Sequence, residues 1–369
     1  MWAAAQCGCE WMARADRLDF INVSGTSHQI GFQLGKRLRS MGKSIVTSCK
    51  ARYESRDVPW HTVLKNARQF LPYAEEYAPS YLEMIRGYAC GSGLRFEDLF
   101  VTMCGDEKGM CTDIALSDSS TADGSVLSAH TEDWCEEDKG HLALVKVKRK
   151  GSPEYLAMTF GGLEVIGGVN DAGISVTVNS LAPNDVRTGI PKSFVAHQIL
   201  SCSRLDLAMK ACIPETRGSA YNYNICHESG TIACVECSAT DFSVLSPAHG
   251  LLVHTNHYLD PRMLRYETTF SRAHGSMAGY EASTIVRLNR ARRLAKEILG
   301  SASVDGLMEI LKDHANFPAS ICAHPDTSVP EQGRTRTIYS EVIDVTHRSM
   351  WIGLGNPCKA GFRCYKLRE

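Results

Sequence analysis

The spacing of apolar residues changes character near residue 110, and that change constrains the fold more than any single motif. Upstream, a short strand at Asp19 to Val23 leads into a helix whose start is marked by Thr26 and Gln29 at capping-box spacing. Ile30, Leu34, Leu38, Met41 and Ile45 then recur as a helical stripe, and the same periodicity predicts helices across Val63 to Tyr77 and Pro79 to Tyr88. Downstream, short apolar runs take over: Ser125 to Ala129, Leu142 to Val147, Tyr155 to Phe160, Ile174 to Val178, Ala220 to Cys226, Thr231 to Cys237 and Leu251 to His254. Turn residues separate them, at Asp123-Gly124, Gly151-Ser152-Pro153, Asn170-Asp171-Ala172-Gly173 and Glu228-Ser229-Gly230. Helices return at Pro191 to Leu200, Ser283 to Leu299 and Ser303 to His314. A hairpin through Thr335 to Val345 and Ser349 to Leu354 follows, with a last strand at Phe362 to Leu367. Hairpin-connected strands with grouped helices predict an α+β protein with stacked antiparallel sheets. No repeat or linker divides it.

Charge excludes several partner classes. The chain has 369 residues, 22% of them charged, and a net charge of −1, so no bulk field draws it to nucleic acid or an anionic membrane. The densest basic stretch, Arg287, Arg290, Arg292, Arg293 and Lys296, reads as a solvated helix face. No apolar run approaches the ~18 residues of a membrane span. Met1 to Arg14 lacks the apolar stretch of a secretory signal, and the C-terminus is not a peroxisomal address. Fifteen cysteines without such a signal point to reduced thiols and a cytoplasmic location.

Motifs for metal, nucleotide and serine-hydrolase chemistry are missing. Cys234-Val235-Glu236-Cys237 has zinc-like spacing but no matching second pair, and the alternation around it predicts a buried strand. Cys7-Gly8-Cys9 reads as an unstructured terminus, and no metal ligand set is assigned. Two polar clusters stand out instead: His130-Thr131-Glu132-Asp133-Trp134, and Val253-His254-Thr255-Asn256-His257 at the end of an apolar strand. Asn256 there has the amide that an oxyanion needs. Cys111 carries a different promise. A backbone cut at Met110-Cys111 would give one residue both a thiol and a free α-amine, a nucleophile with its own base.

Cys111-Thr112-Asp113-Ile114-Ala115, the His130 to Trp134 cluster, Val253 to His257 and Phe317-Pro318-Ala319-Ser320-Ile321-Cys322 occur in an order that resembles the acyl-coenzyme A:6-aminopenicillanic acid acyltransferase family, the self-processing cysteine branch of the N-terminal-nucleophile hydrolases. Val23 to Gly31 is similar to that family's opening strand and helix. The resemblance implies a four-layer αββα sandwich. It implies self-cleavage before Cys111, dividing residues 1–110, a helical α subunit, from residues 111–369, a strand-rich β subunit, the two forming one compact domain. Asn256 matches the family's oxyanion asparagine. Asp133 matches an aspartate that orients the Cys111 amine and thiol, with Glu132 one position away. The sequence departs from the family pattern at two points. Met110 stands where glycine is common, and Ala323 stands where an arginine follows the Ser-Ile-Cys segment, leaving Arg334, Arg336 or no residue to replace it.

The resemblance implies an amidohydrolase or acyltransferase that works on small N-acyl amines through a Cys111 acyl-enzyme. The substrates are either an N-acyl amine, β-alanyl conjugates of biogenic amines included, or an acyl-CoA plus an amine. No cofactor is implied, coenzyme A entering only as a thioester co-substrate. His130 and Glu132 are the candidate substrate contacts, and Glu132, Glu136, Glu137 and Asp138 form either a carboxylate cluster that attracts a cationic amine or a solvated acidic loop. A non-catalytic descendant retained for binding is the remaining reading.

Overall fold

A computed structural model describes residues 18–105, 109–219, 221–270, 281–328 and 334–368. The expectations at Cys7-Gly8-Cys9 and Ala220 lie outside them. The chain opens with β1 (Asp19–Gly25), then helices α1 (Ser27–Arg37), α2 (Arg39–Glu54), α3 (Trp60–Ala67), α4 (Leu71–Tyr77), α5 (Pro79–Ser92) and α6 (Phe96–Met103). The capping box at Thr26 and Gln29 is formed in both directions. The stripe behind it breaks at Leu38, whose backbone leaves the helical region, so one expected helix is two. The stretch expected as Val63 to Tyr77 is likewise split by a 3₁₀ turn at Arg68–Phe70. Pro72 falls in the first turn of the next helix, where its missing N–H costs nothing. Helix α1 crosses α5 at backbone contact. A Cβ on Gly31 would lie 1.8 Å from the Met84 carbonyl oxygen, and one on Gly87 2.1 Å from that of His28. Only glycine permits that approach.

The strands that follow are β2 (Met110–Leu116), β3 (Leu127–Cys135), β4 (Leu142–Arg149), β5 (Tyr155–Phe160), β6 (Glu164–Asn170) and β7 (Ile174–Ser180). After α7 (Lys192–Leu200) and α8 (Leu205–Ala211) come β8 (Tyr221–His227), β9 (Ile232–Cys237), β10 (Phe242–Leu245) and β11 (Leu251–His254). Helices α9 (Glu281–Glu297) and α10 (Val304–Leu311) precede β12 (Thr335–Asp344), β13 (Ser349–Leu354) and β14 (Arg363–Lys366).

They build two sheets. One is ordered β1-β4-β5-β6-β7-β8-β9-β10 and the other β11-β2-β3-β12-β13-β14. Among the strand pairs of the described residues, only β1–β4, at the edge of the first sheet, is parallel. The sheets face each other through β2 against β7 and β8 and through β13 against β6. Helix α1 covers β1 and α7 covers β6 and β7, whereas α9 and α10 cover β2, β3, β11 and β12 on the far side. The result is the four-layer αββα sandwich. Cys234 and Cys237 are buried in β9, as the alternation predicts. No helix among the described residues is long and apolar enough to cross a membrane.

The pleat of β2 and β3 decides the site. Ile114 and Leu116 of β2, with Leu127 and Ala129 of β3, pack under α9 and α10. Cys111, Asp113, His130, Glu132 and Trp134 have the opposite parity and point between the sheets. The cluster at 130–134, conspicuous as a polar run, is thus strand residues dealt to two faces.

Candidate active site

Cys111 is the second residue of β2, in register with Glu132 of β3. Its thiol donates to Glu132 Oε2 at 3.5 Å, and only 1% of the residue is exposed. Glu132 also accepts from His130 Nε2 at 2.9 Å and from the Trp134 indole N–H. His130 Nδ1 meets Asp113 Oδ1 at 2.7 Å. Burial opposes a charge on this imidazole, but Asp113 and Glu132, one at each ring nitrogen, outweigh it and raise its pKa well above the usual range. The Cys111 thiol is pushed up as well, by burial first and then by Glu132, Asp113 and Asp133. In the intact chain this is a thiol that needs a base, and Glu132 is the carboxylate in contact with it.

On the other side Asn256 holds the backbone. Strand β11 pairs His254 with Asp113 and ends there, so continuing the antiparallel register by two residues sets Asn256 opposite Cys111. The chain leaves the strand because α9 captures it, Thr284 Oγ1 accepting from the Asn256 N–H at 2.8 Å. The Asn256 side chain then takes the role of the missing strand. Its Oδ1 accepts the Cys111 N–H at 2.9 Å, and its Nδ2 donates to the carbonyls of Ser180 at 3.2 Å and Gly109 at 3.4 Å.

Arg287 completes the clamp. Its guanidinium donates to the Cys111 carbonyl, to Thr112 Oγ1 at 2.9 Å and to Asn256 Oδ1 at 2.8 Å. It is 1% exposed, which corrects the reading of the whole basic stretch as a solvated face. Arg290, Arg292, Arg293 and Lys296 do lie on the outer side of α9, Arg290 paired with Asp313. Arg287 shares instead the four-residue spacing of the buried Ala291 and Ala295. That spacing is the signal the sequence offers. The two arginines considered as substitutes at Ala323 are engaged elsewhere: Arg336 with Asn356 and Glu136, Arg334 with the Thr327 carbonyl.

The structure separates the neighbours at 132 and 133. Asp133 is in register with Met110 and turns toward the helices, where its Oδ1 accepts from Thr337 Oγ1 at 2.6 Å. Burial lifts its pKa to about 7 against the pull of Arg287 and Thr337. It makes no hydrogen bond to the thiol. Met110 shares that orientation, with its sulfur accepting from Ser283 Oγ at 3.7 Å, so the methionine side chain stays clear of the Cys111 thiol. The tight position is Gly109, where a Cβ would lie 2.5 Å from Trp134 Nε1.

A cavity of about 80 Å³ opens on this group. Cys111, Glu132, Trp134, Tyr221 and Lys192 line one part, and Cys49, Tyr53, Thr102 and Met103 of the helical segment line another. Of the carboxylates proposed for a cationic amine, Glu132 and Asp138 reach the cavity. Asp138 already faces His141 at 3.3 Å and Arg52 at 3.7 Å, and Glu136 is paired with Arg336 at 2.6 Å. The Cys111 sulfur, a His130 nitrogen and a Glu132 oxygen fall within 4.8 Å of one another. Both ring nitrogens of His130 are committed to carboxylates, which leaves no lone pair for a metal.

The sequence profile of the family described as acyl-coenzyme A:6-aminopenicillanic acid acyl-transferase matches residues 120–359. This chain belongs to that family. It is an enzyme of the amidohydrolase and acyltransferase kind. The matched span takes in Glu132, Asp133, Asn256 and Arg287 and begins after Cys111. Among solved structures the chain is similar to a mutant of conjugated bile acid hydrolase from Clostridium perfringens, with 14% identity and a TM-score of 0.46 over 70% of this chain and 97% of that one. It is also similar to penicillin V acylase from Agrobacterium tumefaciens, with 12% identity and a TM-score of 0.46 over 69% of this chain and 86% of that one.

Glu341 of β12 sits opposite His130, fully buried, and burial raises its pKa to about 8. A carboxyl whose folded pKa exceeds its unfolded value contributes stability that is fully present below about pH 4.5 and is lost as pH rises toward 8. Measured against the parent chain, Glu341→Gln should therefore gain stability steadily from pH 5 to pH 8, on the order of 4 kcal/mol in all, and level off above that. Urea unfolding of both proteins at each pH reads the difference. A difference independent of pH would show that this carboxyl is ionised in the folded state.

Proposed function

We propose that the chain is a self-processing cysteine amidohydrolase acting on small N-acyl amines, with Cys111 as nucleophile. The observation that carries this reading is the convergence on one residue of a base at its thiol, an amide acceptor at its N–H and a guanidinium at its carbonyl. In the maturation step Glu132 accepts the thiol proton and Sγ adds to the Met110 carbonyl carbon. The Met110–Cys111 C–N bond then breaks as the nitrogen takes a proton, leaving a thioester and a free α-amine. Water hydrolyses the thioester, which gives Met110 a carboxylate and returns the thiol. The new amine, with a pKa of roughly 7.7–8.0, serves as base near neutral pH and stays hydrogen-bonded to Asn256 Oδ1. Departure of Gly109 frees Asn256 Nδ2 for the oxyanion of a substrate amide.

The two products remain one heterodimer, because the helical segment shares the core of the first sheet. Tyr81 Oη donates to the Leu163 carbonyl at 2.8 Å and Ser193 Oγ to that of Met103 at 3.0 Å across the division. The helical segment also supplies part of the cavity wall, so it helps to select the acyl group. A cavity of only about 80 Å³ favours a short acyl chain such as β-alanyl, with water as acceptor. Acyl-CoA-dependent transfer to an amine is the second reading. No cofactor is required by either, and the free thiols suit the cytoplasm.

Mass spectrometry of the purified protein should find two chains divided between Met110 and Cys111, the larger reacting with reagents specific for an N-terminal cysteine. Assays on β-alanyl amines beside an acyl-CoA plus amine pair should give amide hydrolysis. An uncleaved chain without either activity would overturn the proposal.

A further inference from the structure

Away from the cavity, four side chains from three segments bring their ligand atoms together. His314 follows α10, Cys322 and His324 lie in the loop before β12, and Cys358 lies in the loop after β13. One donor atom from each of the four falls within 4.8 Å of all the others. The His314 and His324 Nε2 atoms are 3.1 Å apart, and the sulfurs of Cys322 and Cys358 are each 3.5 Å from His324 Nε2. A tetrahedral zinc ion with Zn–N of ~2.05 Å and Zn–S of ~2.3 Å has N···N and N···S edges of ~3.3 and ~3.6 Å. From these distances and this donor set we propose a structural Cys2His2 site for zinc, formed by His314, Cys322, His324 and Cys358.

The surroundings fit. Asn356 Nδ2 approaches Cys322 Sγ at 3.6 Å, the kind of outer hydrogen bond that steadies a thiolate ligand. Backbone bonds fix the loop that presents the ligands, Cys322 N–H to the Asp313 carbonyl at 3.0 Å and His324 N–H to that of Pro318 at 2.9 Å. Cys322 is buried while His314 is exposed, so the ion has a route in from solvent. Binding releases the two thiol protons, one from each cysteine. Sequence spacing hides the set, since only Cys322 and His324 are close in the chain.

The site would brace the catalytic strand. Between Cys322 and His324, the Ala323 N–H donates to Thr337 Oγ1 at 2.9 Å, and that hydroxyl donates in turn to Asp133. Zinc therefore clips the end of α10 and the β13–β14 loop to the segment that positions Asp133.

The test uses the full chain carrying Cys111→Ala, which removes the competing thiol of the active site. Purified with zinc and then desalted, it should hold about one zinc per chain by elemental analysis. Replacement by Co(II) should give the visible bands of a tetrahedral S2N2 complex. His314→Ala, at an exposed position, and Cys358→Ser should each lose most of the metal and the Co(II) bands, while circular dichroism shows both still folded. Chelation should lower the melting temperature of the parent chain and leave that of His314→Ala unmoved. A folded parent without stoichiometric zinc, zinc retained equally by both variants, or a Cys322–Cys358 disulfide found by peptide mapping of protein purified under reducing conditions would overturn the assignment.

Discussion

Cys111→Ala should run as a single 369-residue chain on a denaturing gel and hydrolyse no amide, with a melting temperature close to that of the unprocessed parent. The sulfur is both the group that would attack Met110 and the group that would carry the acyl intermediate, so both reactions end with it. Removing the nucleophile of a comparable catalytic unit costs on the order of 10⁶ in rate. The structural cost is small. Alanine keeps the β2 backbone, the Asn256 contact and the Arg287 contact, all of which engage main-chain atoms of residue 111. What is lost is one long hydrogen bond to Glu132 and a buried sulfur whose ionisation the site resists. Glu132→Gln separates nucleophile from base: the thiol stays and the proton acceptor goes, so cleavage should slow by about 10²–10⁴ without being abolished. A time course of fragment appearance measures both variants. Cleavage of Cys111→Ala at the wild-type rate would mean that another agent makes the cut.

Much of this architecture can be read along the chain. Tyr155–Phe160 and Leu251–His254 are bounded by turn residues and appear at the expected limits. Glu164–Asn170 escapes such a reading because two glycines interrupt its apolar pattern, and Phe242–Leu245 because an edge strand with half-exposed residues carries little alternation. The break at Leu38 follows packing of α1 and α2 on different neighbours, which periodicity in one dimension does not register. The site shows the same division. Cys111 and Asn256 can be singled out because their neighbours form recognisable runs. The choice between Glu132 and Asp133 depends on strand parity, which is set by the register of β3 on β2 and β12 and by the irregularity at Thr337 and Tyr339. Arg287 lies 176 residues from the carbonyl it binds, and only tertiary packing joins them.

That arginine gives the second large effect. Arg287→Met should weaken folding by about 3–5 kcal/mol and slow self-cleavage by about 10² or more. Methionine fills much of the same volume, so the loss is electrostatic rather than a cavity. Three acceptors lose a charged donor at once: the Cys111 carbonyl, Thr112 Oγ1 and Asn256 Oδ1. Asn256 Oδ1 then keeps only the Cys111 N–H, so the amide, still tied through Nδ2 to the Ser180 and Gly109 carbonyls, is held less firmly against the strand it completes. Asp133 loses the cation that opposes the effect of burial, so its pKa should rise above about 7 and the carboxyl become neutral at physiological pH. Arg287→Lys distinguishes charge from geometry. An ammonium restores the field on Asp133, but it cannot reproduce the planar fork that reaches a carbonyl and an amide oxygen together. Lysine should therefore recover more of the stability than of the cleavage rate. Urea unfolding and fragment time courses on the three proteins test this, and equal recovery of both quantities would assign Arg287 a purely electrostatic role.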